Sequence, residues 1–166
     1  MMKDAKIFEN STLDLRNLRP GLYISRLDHF GLGMFTTLDL RFVSANSELE
    51  SPLSPAAIHT IEHLGSVYLF ERCPERLSAV SFCPRGSRTG FRAIMYGSYE
   101  VERYCDLFVR MASFIIDWNT AIPNATPDRC GNYRDHNLLA AKSAMIKWRA
   151  VLESRDLDYD QFHYPE

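Results

Sequence analysis

Apolar and polar residues alternate along residues 35–43 (FTTLDLRFV), and several of them are β-branched. Successive strand side chains point to opposite faces, so this pattern predicts a strand with one buried face. Residues 77–82 and 91–96 are predicted as two further strands, joined by a turn at 83–90 that contains Pro and Gly. Weaker strand signals lie at 13–15 and 22–25.

A different period, with apolar residues three and four positions apart, runs through residues 99–118 and predicts a buried helix. A second helix is predicted over 55–72, because Ser54 is a favoured N-cap residue and Pro55 suits the first helical position. A third helix is predicted over 136–154. Strands and helices do not alternate strictly along the chain. We therefore expect an α+β fold with a mostly antiparallel sheet packed against helices.

The length of 166 residues predicts one domain over 1–166 with a sizeable hydrophobic core. Hydrophobic residues make up 46% of the chain and charged residues 24%, which is ordinary for a globular protein. The net charge of −2 gives no electrostatic reason to bind nucleic acid or an anionic membrane. The acidic and aromatic tail at 155–166 has no role that the sequence assigns.

The chain shows no apolar stretch of signal-peptide type and none near the about 20 residues that cross a bilayer. Its four cysteines are scattered and have no close pairing. We therefore expect reduced thiols and a cytoplasmic location.

The strongest chemical signal is the run His59-Thr60-Ile61-Glu62-His63 inside the predicted helix at 55–72. His59 and His63 are four residues apart, so both imidazoles lie on one helix face and can bind one divalent metal ion. Glu62 then lies beside the site as a group that can move protons. The motif also occurs in zinc hydrolases, so by itself it does not identify a family.

A catalytic site of this type needs a third protein ligand and one open position. A metallopeptidase would take a Glu far downstream, but only Glu153 and Glu166 follow Glu102. Cys130 lies in a loop and is the other candidate, with a buried loop thiol as its alternative interpretation. The residues alone leave this choice open.

Several motifs occur in an order and at a spacing that are similar to those of the S-ribosylhomocysteine lyase (LuxS) family. They are LD at 13–14, LDLRF at 38–42 with Asn46, IHTIEHL at 58–64, PRGSRTGF at 84–91 and CGNYRDH at 130–136. The resemblance covers about residues 9–152. It implies a homodimeric α+β enzyme with a small-molecule substrate and a pocket near the subunit interface.

The resemblance also implies a site chemistry. Each subunit would hold one Fe(II) ion, with zinc or cobalt as replacements, on His59, His63 and Cys130. The family opens a ribose, moves its carbonyl by two enolisations and eliminates homocysteine, which leaves the autoinducer-2 precursor. Each enolisation needs a Lewis acid and a base. Glu62 resembles one of the family's two bases, and the family's cysteine base corresponds to Ser87.

Three positions depart from the family pattern. Ser87 stands where the family has its catalytic cysteine, and a hydroxyl is a much weaker acid than a thiol. Leu15 replaces a histidine, and Ser81 replaces an aspartate associated with the amino-acid end of the substrate. Three changes in one pocket predict an altered substrate or reaction, rather than a single engineered change at Ser87 or mere decay.

Other residues have two interpretations. Arg41 and Arg88 are predicted to bind substrate oxygens, with a solvated or ion-paired arginine as the alternative. Cys83 is a candidate replacement for the missing thiol, but we favour a small packing residue. Cys73 and Cys105 lie in predicted helical segments and are expected to be structural.

The first functional hypothesis is a LuxS-like lyase or isomerase that uses a metal and Glu62 for enolisation or elimination on a small sugar-derived or keto compound. Ser87 would orient the substrate. The second is retained cleavage of S-ribosylhomocysteine. The third is a catalytically silent metal- or ligand-binding protein, and a small metallopeptidase is the most distant alternative.

Overall fold

The computed structural model describes residues 18–44 and 48–154. These residues form a four-stranded sheet and three α-helices. The elements are β1 (Gly21–Phe30), β2 (Gly33–Arg41), α1 (Pro55–Val67), a π-helical segment (Tyr68–Arg72), β3 (Ala79–Pro84), β4 (Gly90–Tyr96), α2 (Val101–Asp117) and α3 (Leu138–Ser154). The strand order is β1-β2-β4-β3, with every neighbouring pair antiparallel. The predicted α+β class with an antiparallel sheet is confirmed.

The strand register divides the sheet into two faces. Leu38 lies opposite Ala93 and Leu40 opposite Phe91, and all four side chains are fully buried in the hydrophobic core. Residues of the opposite parity point away from this core. In that second set, Asp39 of β2 pairs with Arg92 of β4, and Arg92 pairs with Cys83 of β3. We call the surface that carries these residues the outer face of the sheet.

The helices supply the other half of the core. Trp148 of α3 stacks on Phe42 with ring centroids 4.4 Å apart, just beyond the end of β2. Gly65 of α1 lies so close to Phe82 of β3 that a Cβ atom there would be 2.6 Å from the Phe82 ring. A glycine is therefore what lets α1 approach the sheet at this point, and α1 carries both histidines of the motif.

Most predicted elements are present, with shifted ends. Helix α1 begins at Pro55 as expected, and the Ser54 hydroxyl accepts a hydrogen bond from the Ala57 N–H. The last turn of the predicted helix, Tyr68–Arg72, is π-helical. The strand expected at 77–82 lies at Ala79–Pro84, which moves Cys83 from the predicted turn into β3.

The weak signal at 22–25 belongs to a strand of ten residues, β1. The signal at 13–15 and the tail at 155–166 lie outside the described residues. Within the described ranges, no helix is long and apolar enough to cross a membrane. The assignment of residues 1–166 to one domain remains a prediction.

Candidate metal centre

His59 and His63 lie on the side of α1 that faces away from the buried residues Ile58, Ile61 and Leu64. Their ring centroids are 4.7 Å apart and their planes are nearly perpendicular, at 85°. Both side chains are half-buried. The helical spacing therefore produces the predicted pair on one face.

Backbone carbonyls fix the orientation of both rings. His59 Nδ1 is 3.0 Å from the Asp135 carbonyl oxygen, and His63 Nδ1 is 2.8 Å from the Pro123 carbonyl oxygen. A carbonyl oxygen only accepts, so each Nδ1 carries the proton and each Nε2 keeps a free lone pair. This is the arrangement found in metal-bound histidines, whose second nitrogen is held by an outer hydrogen bond.

Cys130 brings a sulfur atom to the same place from a distant part of the chain. Its backbone N–H donates to the Thr126 carbonyl at 2.9 Å, which closes a tight turn. Its Sγ lies 3.2 Å from His59 Nε2. At a tetrahedral zinc ion, bonds of about 2.3 and 2.0 Å place a sulfur and a nitrogen ligand about 3.5 Å apart. The donors present therefore fit a divalent ion of borderline softness.

His136 is a fourth member of this cluster. One ligand atom from each of His59, His63, Cys130 and His136 lies within 4.8 Å of the others. His136 Nδ1 is 3.3 Å from the Thr60 hydroxyl, and its Nε2 is buried without a hydrogen-bond partner. Burial, and next the neighbouring His59 and His63, lower the pKa of His136. In the sequence His136 is visible only as the last residue of the CGNYRDH motif, and no pattern there predicts a role for it.

His136 also stacks on one of the other members of the cluster. Its ring lies on the His59 ring with centroids 4.1 Å apart and planes only 19° from parallel. The lone pair of an imidazole nitrogen lies in the ring plane, so these two rings direct their lone pairs along nearly parallel planes. All four residues belong to the cluster that could hold a metal ion.

Glu62 is half-buried on α1, next to His63 in the chain. Within residues 18–44 and 48–154 it forms no hydrogen bond or ion pair. A carboxylate that is not engaged by a neighbour is able to accept and return a proton.

The β3–β4 turn holds the second group of predicted residues. Ser87 Oγ is 2.8 Å from Thr89 Oγ1, and Arg41 Nη1 donates to the same Thr89 oxygen at 2.6 Å. Arg41 also pairs with Asp39 at 2.6 Å and is only 2% exposed. Arg41 and Ser87 thus belong to one hydrogen-bond chain, and Arg41 is a buried, ion-paired arginine.

Arg88 stands apart from that chain. Its side chain is exposed, its φ is +59°, and its carbonyl oxygen accepts from the Leu53 N–H at 3.0 Å. No hydrogen bond, ion pair or ring contact among the described residues joins Ser87 to Glu62 or to the histidine cluster.

The structure agrees with only some of the predictions for Ser81, Leu15 and the three other cysteines. Ser81 lies on the outer face, two residues before Cys83, and Leu15 lies outside the described residues. Cys83 is exposed, so the favoured interpretation as a packing residue is wrong. Its strand neighbour Phe82 points into the core, so the Cys83 side chain points to the opposite, outer face. Cys73 and Cys105 are buried, as expected of structural thiols.

A protein-family model described as S-Ribosylhomocysteinase (LuxS) matches residues 8–157. The chain belongs to the LuxS family. The S-ribosylhomocysteine lyase of Borrelia garinii subsp. bavariensis is 39% identical over 154 residues, which are 93% of this chain and 96% of that protein. The S-ribosylhomocysteine lyase of Clostridium acetobutylicum is 38% identical over 155 residues, with the same coverage. That of Phocaeicola vulgatus is 34% identical over 161 residues, 96% of this chain and 98% of its own length.

Membership of the LuxS family supports a lyase that acts on a small molecule with a bound metal. The four-residue cluster supplies a place for that metal.

Proposed function

We propose that this LuxS-family protein is a metal-dependent lyase or isomerase that performs enolisation or elimination on a small sugar-derived or keto substrate. The observation that carries the proposal is the convergence of His59, His63 and Cys130 on one point, with Glu62 beside them and unpaired. Such a site suits the removal of a proton from a carbon next to a carbonyl group.

In this proposal His59, His63 and Cys130 hold one Fe(II) or zinc ion, with cobalt as a further candidate. The bound ion supplies a Lewis acid that polarises a carbonyl or hydroxyl oxygen of the substrate. The Asp135 and Pro123 carbonyls keep the two imidazoles in the required tautomer.

In an isomerisation, Glu62 takes the proton from the hydroxyl-bearing carbon beside the carbonyl group and returns it to the former carbonyl carbon. The hydroxyl proton passes to the former carbonyl oxygen, which moves the carbonyl group by one carbon. Ser87 does not replace a second base, because its Oγ contacts the Thr89 hydroxyl and forms no hydrogen bond with a histidine or carboxylate of residues 18–44 and 48–154. Its hydroxyl instead orients a substrate oxygen. With one competent base, a single isomerisation, dehydration or elimination is easier to support than the family's full sequence of steps.

The predicted substrate-binding residues differ in whether their polar atoms are already engaged by other residues. Arg41 has both terminal nitrogens engaged, with Thr89 and Asp39, so we propose that it positions the Ser87 turn more than it contacts the substrate. Arg88 and Ser81 are proposed to contact the substrate directly, from the turn and from β3. For Leu15 the family comparison is the only support.

A second candidate is retained cleavage of S-ribosylhomocysteine. The three relatives described above carry this activity in their names and are 34–39% identical over more than nine-tenths of this chain, which favours it. Cys83 or a water molecule would have to do the work of the missing thiol. Cys83 is exposed and lines the same cavity as Ser87, which makes that replacement testable. A catalytically silent protein is the third candidate.

We also propose that the protein works as a cytoplasmic homodimer. Part of the outer face of the sheet carries exposed apolar side chains, including Phe30 at 82%, Tyr96 at 50% and Val80 at 49% exposure. A second copy of the chain would cover this surface and place the pocket near the interface. None of the four cysteines forms a disulfide, which is in keeping with a reducing compartment.

The decisive experiment is anaerobic incubation of Fe(II)-loaded protein with S-ribosylhomocysteine, with released thiol and the sugar carbons followed by NMR. The proposed function predicts proton exchange or a moved carbonyl, with a Glu62→Gln variant as the inactive control. Homocysteine release above that control would show that the family reaction survives. No change in any signal would contradict both enzymatic proposals for this substrate.

A further inference from the structure

A cavity of about 240 Å³ lies on the outer face of the sheet, at the β3–β4 turn. Its lining is Cys83, Pro84, Arg85, Gly86, Ser87 and Arg92. Two of these side chains carry a guanidinium group, and the lining contains no carboxylate. A liquid water molecule occupies about 30 Å³, so the cavity has room for a small anion with a short substituent.

Arg92 is the central observation. It lies in the middle of β4, between Asp39 of β2 on one side and Cys83 of β3 on the other. Its Nε atom is buried and has no hydrogen-bond partner. Arg92 also forms no ion pair with any described residue. A buried polar nitrogen without a hydrogen bond is unfavourable, especially in a charged group. A ligand that supplies a hydrogen-bond acceptor would therefore stabilise this side chain.

Asp39 does not supply that partner. Its carboxylate accepts hydrogen bonds from Arg41 at 2.6 Å and from Arg85 at 2.7 Å, the latter on both oxygens. Three guanidinium groups therefore surround a single carboxylate among the described residues, and the local excess of charge is positive. The Asp39 side chain is fully buried, and the Arg85 side chain is 14% exposed, so this charge is only weakly screened.

We propose that this cavity binds an oxyanion of the substrate, either a carboxylate or a phosphate group, with Arg92 as the residue that recognises it. A guanidinium offers several N–H donors in a planar fork, which matches two oxygens of such an anion. Ser87 lines the same cavity, so the anion would lie beside the residue to which we assign substrate orientation. The inference rests on the proposed function in taking Ser87 as the residue that orients the substrate. It adds that the substrate is an anionic compound.

The test uses the full-length, metal-loaded protein and inorganic phosphate as the probe. Phosphate is titrated at low ionic strength and its binding followed by ³¹P NMR. The Arg92→Gln variant is expected to bind phosphate at least about tenfold more weakly, since it loses a charge-assisted contact. Arg92→Lys keeps the charge without the fork and is expected to lie between the two. Arg76→Gln, at an exposed turn, is the matched control and should bind as the unaltered protein does.

A competition experiment with acetate distinguishes a carboxylate from a phosphate group. Displacement of phosphate by acetate at similar concentration would indicate a carboxylate-bearing substrate, and resistance to acetate would indicate a phosphate ester. Equal phosphate binding by Arg92→Gln and unaltered protein would overturn the proposal. So would a lack of phosphate binding together with a weaker dimer in Arg92→Gln, because Arg92 would then pair with a carboxylate of a second copy.

The anion site and the catalytic proposal fail in different ways. Glu62→Gln should retain phosphate binding, since Glu62 is not part of the cavity. Phosphate binding without any turnover would support the anion site and count against the proposed function. Turnover of an uncharged sugar without phosphate binding would support the proposed function and overturn the anion site.

Discussion

The helix-and-loop region around His59, His63 and Cys130 differs from the sheet region around Ser87 in how it relates to the family pattern. In the first region every expected donor is present, and two backbone carbonyls hold the histidines in the tautomer that binds metal. In the second region the resemblance of motifs leads us to expect Ser87 and Ser81 where the family has Cys and Asp. We therefore propose that the metal-binding half of the site is retained while the substrate-binding half has changed.

The difference has a physical basis. Metal ligands tolerate little displacement, and here α1 and the loop before α3 must meet within hydrogen-bond distance. Ser87 and Ser81 are less constrained, because Ser87 is exposed and Ser81 lies on the face of the sheet that points away from the core, so both can change without repacking it. A reaction can therefore change on the sheet side while the metal remains. Predictions that act on one region and leave the other intact test this separation.

The largest effect is expected from loss of a metal ligand. Cys130→Ala should lower metal affinity by more than about 100-fold, since even outer-shell changes cost about 10- to 100-fold. Metal content after dialysis, measured by plasma emission spectroscopy, checks this. Cys83→Ala is the matched control, because Cys83 is an exposed thiol of the sheet region and should leave metal content unchanged. Full metal occupancy in Cys130→Ala would remove Cys130 from the ligand set.

Loss of the proposed base should separate chemistry from metal binding. Glu62→Gln is expected to keep its metal and to lower the turnover number by about 10²- to 10⁴-fold, the usual contribution of a general base. Single-turnover kinetics on whichever substrate is converted give this number. Glu71→Gln, an exposed carboxylate in the π-helical segment, serves as the control. Unchanged turnover in Glu62→Gln would assign proton transfer to another group.

The two regions touch where Gly65 of α1 meets Phe82 of β3. Gly65→Ala should destabilise the fold by about 1–3 kcal/mol through overpacking, because its Cβ would lie 2.6 Å from the Phe82 ring. Each kcal/mol lowers Tm by about 2–4 °C in a chain of this length. Differential scanning calorimetry measures the shift, with Gly86→Ala as a control whose Cβ would meet nothing within 4 Å.

The same variant tests how independent the regions are. If metal affinity stays constant in Gly65→Ala, the helix side binds its ion without help from the sheet. A second change, Phe82→Leu, should recover part of the lost stability, since the two residues are in contact. Additive losses in the double variant would show that the close approach is not the cause.

How far the sequence predicts this fold depends on how strongly each segment is buried. Strand β2 and helix α2 have regular apolar periods because both pack against the core, and both were predicted within a few residues. Strand β1 was largely missed. It is an edge strand whose second half is mostly exposed, so no buried face imposes an alternating pattern there. The π-helical segment was also missed, because its apolar residues continue the pattern of α1.

In the site, local spacing was informative and distant contact was not. His59 and His63 follow from their separation of four residues on one helix. Cys130 is 71 residues from His59. The residues alone leave it as a candidate ligand or a buried loop thiol, and the resemblance to the LuxS family is what favours the ligand. The stacking of His136 and the pairing of Asp39 with Arg85 depend on tertiary register, for which the sequence contains no periodic signal.

The smallest effect is expected from restoring the family's thiol. Ser87→Cys should raise turnover of S-ribosylhomocysteine by about tenfold, less than the about 10²- to 10⁴-fold that a fully placed acid or base contributes. The shortfall is expected because Ser81 and Leu15, the two other positions at which the resemblance implies a departure from the family, stay as they are. The gain should grow as pH rises towards the ordinary thiol pKa of about 8.5, since only the thiolate accepts a proton. The unaltered protein should lack this step in its pH–rate profile.

Ser87→Ala is the matched control for that gain, because it removes the hydroxyl without adding a base. If Ser87→Cys and Ser87→Ala behave alike, the missing thiol is not what limits the family reaction, and the limit lies in substrate recognition. The arginine-rich cavity then becomes the feature to test next, because the anion it is proposed to bind would decide which substrate reaches a metal centre that is still able to act. A gain in Ser87→Cys alone would place the divergence in the chemistry at one residue and make the sheet region a modified form of the family pocket.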